Sequence, residues 1–269
     1  MQKGEPPFKR LAIVGVGLIG GSILQAAQQT WPSIDIAPID AQDDLSRVGG
    51  ADLVILSAPI RENIALLAQL PSRMLSGAVA TDTGSTKRAI AVAAAAIPGL
   101  TFIGGHPIAG AARGGAANGR ADLFQGRSWI LTPRSENPPE AVARLEAFVS
   151  GLGAVPHVMT PELHDRFVGA VSHLPQLTAS ALMHVVGKLA GDAGLEIAGA
   201  GLLDTTRLAT SPPNIWKDVA MTNDDVLREA LDSLIRTLTD MRDTLDTGDA
   251  LEAVFTSACR WRTTLDRGR

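Results

Sequence analysis

Between residues 11 and 159, short apolar, β-branched runs alternate with stretches whose apolar positions recur at helical spacing. The runs at 11–16, 34–39, 52–57, 78–81, 101–104, 128–131 and 155–159 predict strands, and 63–70, 87–96 and 139–152 predict helices between them. Several of the strand runs are apolar almost throughout, as strands buried on both faces are. Strand–helix alternation of this kind predicts an α/β fold, a doubly wound parallel sheet of Rossmann type covered on both faces.

After Thr160 the strand signal stops. Thr160 can cap a helix with Pro161 at its first position, and Leu163, Phe167, Val171 and Leu174 follow near helical spacing. That helix carries a second, polar stripe of Asp165, Ser172, His173, Gln176 and Ser180. At α-helical spacing residues 165, 172, 176 and 180 share a face, so the stripe is expected to line a cleft. Pro175 should interrupt the helix and free a carbonyl around Val171. A long apolar stripe then runs from Val226 to Leu245, ended by Gly248. The expected organisation is a dinucleotide-binding domain over 1–158 and an all-α domain over 159–269. The helical half is apolar for its size, so a homodimer through these helices is expected.

Composition narrows the class of protein. Of 269 residues, 45% are hydrophobic and 19% charged, enough apolar material for a core and too little charge for disorder. The net charge of −4, without a dense Lys/Arg cluster, argues against nucleic acid or an anionic membrane as partner. The apolar runs are too short or too often cut by glycine to span a bilayer. Cys259 has no cysteine to pair with and no Cys/His spacing suggests a metal site, so a cytoplasmic setting and no metal are expected.

The chemistry begins at Gly15-Val16-Gly17-Leu18-Ile19-Gly20, which follows an apolar strand and opens a helix. In that context the glycines suit a tight turn (Gly15), close approach of the backbone to a pyrophosphate (Gly17) and close helix packing (Gly20), with the anion at the helix N-terminus. Asp40, just past the second strand, can accept hydrogen bonds from a ribose 2′-hydroxyl and repel a 2′-phosphate, which favours NAD over NADP. The usual helix between Asp40 and the next strand is largely missing, and Pro38 sits inside the predicted strand. Leu18, Ile19, Ser57, Pro59, Thr83 and Gly84 complete the expected cofactor contacts.

Four further segments accompany this loop: Thr81-Asp82-Thr83-Gly84-Ser85-Thr86-Lys87, Gly104-Gly105-His106-Pro107-Ile108-Ala109-Gly110, His164-Asp165 with Ser172-His173-Leu174-Pro175, and Asp204-Thr205-Thr206-Arg207. In order and spacing the five resemble the prephenate/arogenate (cyclohexadienyl) dehydrogenases of tyrosine biosynthesis. The resemblance implies oxidative decarboxylation of a cyclohexadienol carboxylate: hydride passes to a nicotinamide, CO₂ leaves and the ring aromatises. It places the catalytic histidine at His106, where a neutral imidazole can take the hydroxyl proton. Ser85 is expected to hydrogen-bond His106 or the substrate, or to cap the following helix. Arg207 is the candidate for the ring carboxylate, with Asp204 placed to orient it. His173 and Gln176 are expected to touch substrate, His164 is read as structural and Trp216 as packing.

Two departures from the family bear on substrate. Gln176 stands where many relatives carry a second histidine, and Ala111-Ala112 where many prephenate-preferring members have Thr-Glu. Prephenate and arogenate therefore both stay open. Two other classes compete. Dehydrogenases of similar architecture use a lysine on the helical domain, for which only Lys188 and Lys217 are available. A non-catalytic dinucleotide sensor would need the glycine loop but not His106, Ser85 and Arg207 together.

Overall fold

The computed structural model describes residues 4–110 and 115–267. Strands β1 (Arg10–Val14), β2 (Asp35–Ile39), β3 (Leu53–Leu56), β4 (Val79–Asp82), β5 (Thr101–Pro107), β6 (Ser128–Thr132) and β7 (Val155–Val158) form one sheet in the order β2-β1-β3-β4-β5-β6-β7. Alternation along the strands explains how the sheet is held. Leu11, Ile13, Leu53, Ile55, Val79 and Ile103 face one core with α1 (Leu18–Thr30) and α4 (Pro139–Gly151), where Trp31 stacks on Phe148 at 5.5 Å. Ala12, Val14, Val54, Leu56, Ala80 and Phe102 face the other, with α2 (Ile60–Leu67) and α3 (Arg88–Ala95). Both faces are buried, hence the near-continuous apolar runs.

Two details differ from the sequence expectation. The sheet is mostly but not wholly parallel, because β6 runs antiparallel to β5. A helical crossover is needed only between parallel strands, and the described part of the β5–β6 connection holds just a 3₁₀ turn, Ala116–Asn118. Between β2 and β3 a 3₁₀ turn, Leu45–Val48, replaces the usual helix. Pro38 is accommodated because β2 lies at the sheet edge, paired with β1 alone.

By packing, the chain forms two compact units, 1–223 and 224–269. The first includes α5 (Pro161–Val168), α6 (Leu174–Leu195, broken at Gly191), α7 (Ala200–Thr206) and α8 (Pro213–Thr222) with the sheet. Thr160 caps α5, accepting the Leu163 N–H at 3.2 Å. A π-helical turn, Gly169–His173, joins α5 to α6 just ahead of Pro175, the interruption expected from that proline. The second unit is a helical pair, α9 (Asp224–Asp243) and α10 (Asp249–Arg267), joined through Gly248. Ile235, Leu238, Phe255 and Trp261 are exposed on it. Among the described residues no helix is long and apolar enough to cross a membrane.

Candidate active site

At the carboxyl ends of β1 and β3, the strand order reverses around β1, which has β2 on one side and β3 on the other. Crevices at such a switch point are where open α/β sheets bind ligands. Gly15 has φ +94° and lies so close to the β3 end that a Cβ would sit 2.8 Å from the Ser57 carbonyl. A Cβ on Gly20 would sit 2.0 Å from the Gly15 carbonyl oxygen, so this position must be bare for α1 to pack on the turn. A Cβ on Gly17 would meet nothing within 4 Å. The protein itself leaves that side open, as a cradle for a pyrophosphate requires. Gly17 caps α1 without a side-chain hydrogen bond, and Leu18 and Ile19 open the helix with no acid in its first turn. Its amides are thus available to an anion.

Around this loop, Ser57 accepts a hydrogen bond from Thr83 at 3.0 Å, Pro59 precedes α2 and Gly84 is buried against Asp82. Asp40 is exposed at the end of β2, where its carboxylate accepts the Ala41 N–H at 2.9 Å.

His106 is the next-to-last residue of β5, 9% exposed. Its Nδ1 lies 2.8 Å from Nε2 of His164, whose Nδ1 lies 2.7 Å from Oδ1 of Asp165. His164 and Asp165 are both fully buried on α5. Asp165 also terminates α3: Oδ1 accepts the Lys87 N–H at 2.7 Å and Oδ2 the Arg88 N–H at 3.0 Å. Burial pushes the Asp165 carboxyl up, but the hydrogen bonds from His164 and the two amides outweigh it and hold the group below its usual value. Burial lowers His164, against the pull of Asp165. Burial, then the neighbouring His164, Lys87 and His173, holds His106 well below the ordinary imidazole value.

These charge states fix the tautomers. An ionised Asp165 can only accept, so His164 donates from Nδ1 and presents a lone pair at Nε2. His106 must then donate from Nδ1, which leaves its Nε2 as the acceptor. The histidine read from sequence as structural thus orients the one read as catalytic. The adjacent His164-Asp165 pair was the available signal.

The other expected site residues are placed as follows. Ser85 is half-buried between β4 and α3; among the described residues no hydrogen bond joins it to His106, and α3 is capped by Asp165. Of the polar stripe, His173 and not Ser172 shares the buried side with Asp165 and Gln176. The π turn inserts one extra residue and moves the face on by one position. His173 packs edge-on against Trp216 at 5.8 Å, and its Nε2 is buried without a hydrogen-bond partner among the described residues. Burial brings it down to about 4. Gln176 is also buried, its amide donating to the Leu208 carbonyl at 2.7 Å and accepting from Ser211 at 3.1 Å. It ties down the 3₁₀ turn Arg207–Thr210. Arg207 and Asp204 are exposed, with no ion pair between them among the described residues. Lys188 and Lys217 are exposed, and Ala111 and Ala112 lie outside the described residues. Among those residues no group of His, Cys, Asp and Glu could hold a metal ion.

A glycine cradle at the switch point, with a buried neutral histidine at the carboxyl end of β5, defines an oxidoreductase with a dinucleotide-binding Rossmann domain. Residues 16–158 match the family model for the prephenate dehydrogenase nucleotide-binding domain and 160–256 that for the prephenate dehydrogenase dimerization domain, so the chain belongs to the prephenate dehydrogenase family. It is 31% identical over 263 residues to a prephenate dehydrogenase of Bacillus subtilis, covering 89% of this chain and 71% of that one. A cyclohexadienyl dehydrogenase of Zymomonas mobilis is 29% identical, covering 90% of each. Among solved structures, prephenate dehydrogenase from Aquifex aeolicus in complex with hydroxyphenyl propionate and NAD⁺ superposes with TM-score 0.87 at 25% identity, covering 98% of this chain and 100% of that one. Arogenate dehydrogenase from Synechocystis superposes at 0.79 with 27% identity, covering 96% and 99%.

Proposed function

We propose that the chain catalyses the NAD-dependent oxidative decarboxylation of prephenate to 4-hydroxyphenylpyruvate. The observation that carries this reading is the Asp165–His164–His106 chain, which leaves His106 Nε2 as a neutral acceptor. His106 takes the proton of the ring hydroxyl at Nε2. The positive charge that develops on its ring is shared through Nδ1 with His164, beside the Asp165 carboxylate. A bound NAD, held at the Gly15–Gly20 loop, would supply the hydride acceptor for the carbon that bears the hydroxyl. The ring carboxylate leaves as CO₂, its bonding electrons completing the aromatic ring, and the ring oxygen takes its proton back from His106 Nε2, which restores the neutral base. Arg207 is assigned to that carboxylate, since a guanidinium can hold it through two parallel hydrogen bonds. Gln176 positions the Arg207 turn through Leu208 and Ser211. Ser85 is assigned to the substrate hydroxyl and the partnerless Nε2 of His173 to a polar group of the substrate. Asp204 is assigned to orienting Arg207 once substrate is present.

The cofactor contacts are assigned to Gly15, Gly17, Leu18, Ile19, Gly20, Ser57, Pro59, Thr83 and Gly84. Asp40 favours NAD over NADP because it would face a 2′-phosphate with like charge. Residues 159–269 are assigned to substrate binding and to a homodimer, for which the match to a dimerization domain and the exposed apolar residues of α9 and α10 speak. Arogenate is the second reading, favoured by Ala111-Ala112 in place of the Thr-Glu of many prephenate-preferring members and by the likeness to an arogenate dehydrogenase.

The test is the rate of cofactor reduction with prephenate and with arogenate, each with NAD and with NADP. Fastest turnover of prephenate with NAD is expected; no turnover in any combination would refute the reading. His106→Ala should abolish turnover and leave NAD binding intact.

A further inference from the structure

Beyond the residues already assigned, the site holds a second buried network. Lys87 is fully buried, and its ammonium donates to Asp82 Oδ2 and, at 2.7 Å, to the carbonyl of Gly105. Asp82 Oδ1 accepts the N–H of the same Gly105 at 3.1 Å, while Oδ2 also accepts the Gly84 N–H at 2.8 Å. One ion pair thus satisfies both polar groups of the residue immediately before His106.

The sheet explains why side chains are needed there. Pairing of β4 with β5 ends at Thr81 and Ile103, whereas β5 continues to Pro107 against β6 alone. Beyond Ile103 the edge of β5 that faced β4 has no backbone ladder, and a buried N–H or C=O must find another partner. Asp82 and Lys87 supply it. The two glycines make room for them: a Cβ on Gly104 would sit 2.3 Å from Thr132 Oγ1 and 3.2 Å from the Lys87 stem, and one on Gly105 2.5 Å from the Asp82 carbonyl oxygen.

We propose that the Asp82–Lys87 ion pair is the positioning element of His106, replacing the missing stretch of β4 and locking the Gly105 peptide so that the imidazole is held against His164. This rests on His106 being the base. The same grip on the Gly105 donor and acceptor that stands in for the missing ladder also fixes the backbone from which the His106 ring projects. The groups facing His106 are His164 from α5, which is itself bonded to Asp165, His173 from the π turn and Lys87 from the turn before α3, and the Lys87 charge is one of those that disfavour an imidazolium.

The test uses Lys87→Met and the neutral pair Asp82→Asn/Lys87→Gln, which keeps a donor for the Gly105 carbonyl and an acceptor for its N–H. Two readouts are followed in the NAD-bound protein: kcat and KM for prephenate, and the pH titration of the His106 ring by NMR. Lys87→Met should lower kcat roughly 100-fold, the cost expected of about 1 Å of misplacement, with little change in KM. The neutral pair should recover most of kcat. In Lys87→Met the His106 ring should titrate at higher pH than in the parent, because the ammonium is gone and the Asp82 carboxylate remains; in the neutral pair, which loses both charges, the titration should move less. The NMR titration reads His106 even if neither prephenate nor arogenate is turned over, so failure of the proposed activity and failure of the clamp are separate results. Should Lys87→Met not fold, the neutral pair is compared with the parent alone. Unchanged kcat and titration in Lys87→Met, a folded neutral pair whose kcat stays roughly 100-fold below the parent, or unfolding of both variants would each overturn the proposal.

Discussion

Three buried histidines lie within one network, and which of them holds a proton follows from what each faces. His106 meets the His164 ring, and His173 meets the Trp216 ring and, at 3.4 Å, the Asn223 amide, while His164 touches the Asp165 carboxylate. The parent should therefore keep His106 neutral as pH falls through the ordinary imidazole range. A base acts in its neutral form, so kcat/KM should stay flat through about pH 6.5 and decline only at more acid pH. A decline centred at the unperturbed value would mean that His106 is not held as the geometry requires. Asp165→Asn tests the same chain from its other end. An amide could present its N–H₂ to His164 and invert both tautomers, so kcat should fall by about 10²–10⁴-fold. Because Asp165 also takes two amides at the start of α3, the variant should lose about 1–2 kcal/mol of stability, read by denaturant unfolding.

At the level of elements, the glycine loop offers a contrast between two residues that look alike in sequence. Gly20→Ala would drive a Cβ into the Gly15 carbonyl oxygen and should cost about 1–3 kcal/mol of stability, with NAD affinity falling alongside. Gly17→Ala meets only open space, so its thermal midpoint should match the parent while NAD affinity drops. Calorimetric titration with NAD beside thermal melts separates the two, and equal loss of stability in both would undo the distinction. Loop and strands were readable because each has a local signature: a strand run, then glycines, then a helical period. The direction of β6 was not, since a five-residue strand with three apolar residues at its centre looks the same parallel or antiparallel and only the connection decides. Nor was the π turn at Gly169–His173, which moved His173 into the place expected of Ser172. Periodicity assumes a constant residue count per turn, and a single π turn breaks that assumption. The Asp82–Lys87 pair escaped for a related reason: an acid and a lysine five residues apart, across a turn, look like ordinary surface charge until the sheet places Gly105 between them.

At the scale of the molecule, the site imposes a pH dependence on folding. His106, His164 and His173 all lie in the 1–223 unit with lowered proton affinity, chiefly through burial. An unfolded histidine binds its proton near pH 6.5, whereas these bind theirs only at more acid pH. Between the two values the unfolded chain carries more protons, so stability is complete above about 6.5 and is lost as pH falls toward the folded values. For His173, displaced from 6.5 to about 4, the loss is about 3 kcal/mol. That is a sizeable part of the roughly 5–15 kcal/mol that holds a domain together. The 224–269 unit contains no histidine, so its helices carry none of this dependence directly. Urea unfolding between pH 7.5 and 4.5 should therefore show a midpoint that falls steadily below about 6.5. His173→Gln should flatten that slope, because a neutral amide has no proton to gain on unfolding. A midpoint independent of pH across that window, or one equally steep in the variant, would mean that the buried histidines are not neutral in the folded protein. The tautomers assigned to His164 and His106 would then fall with it, since both depend on rings that carry one proton each.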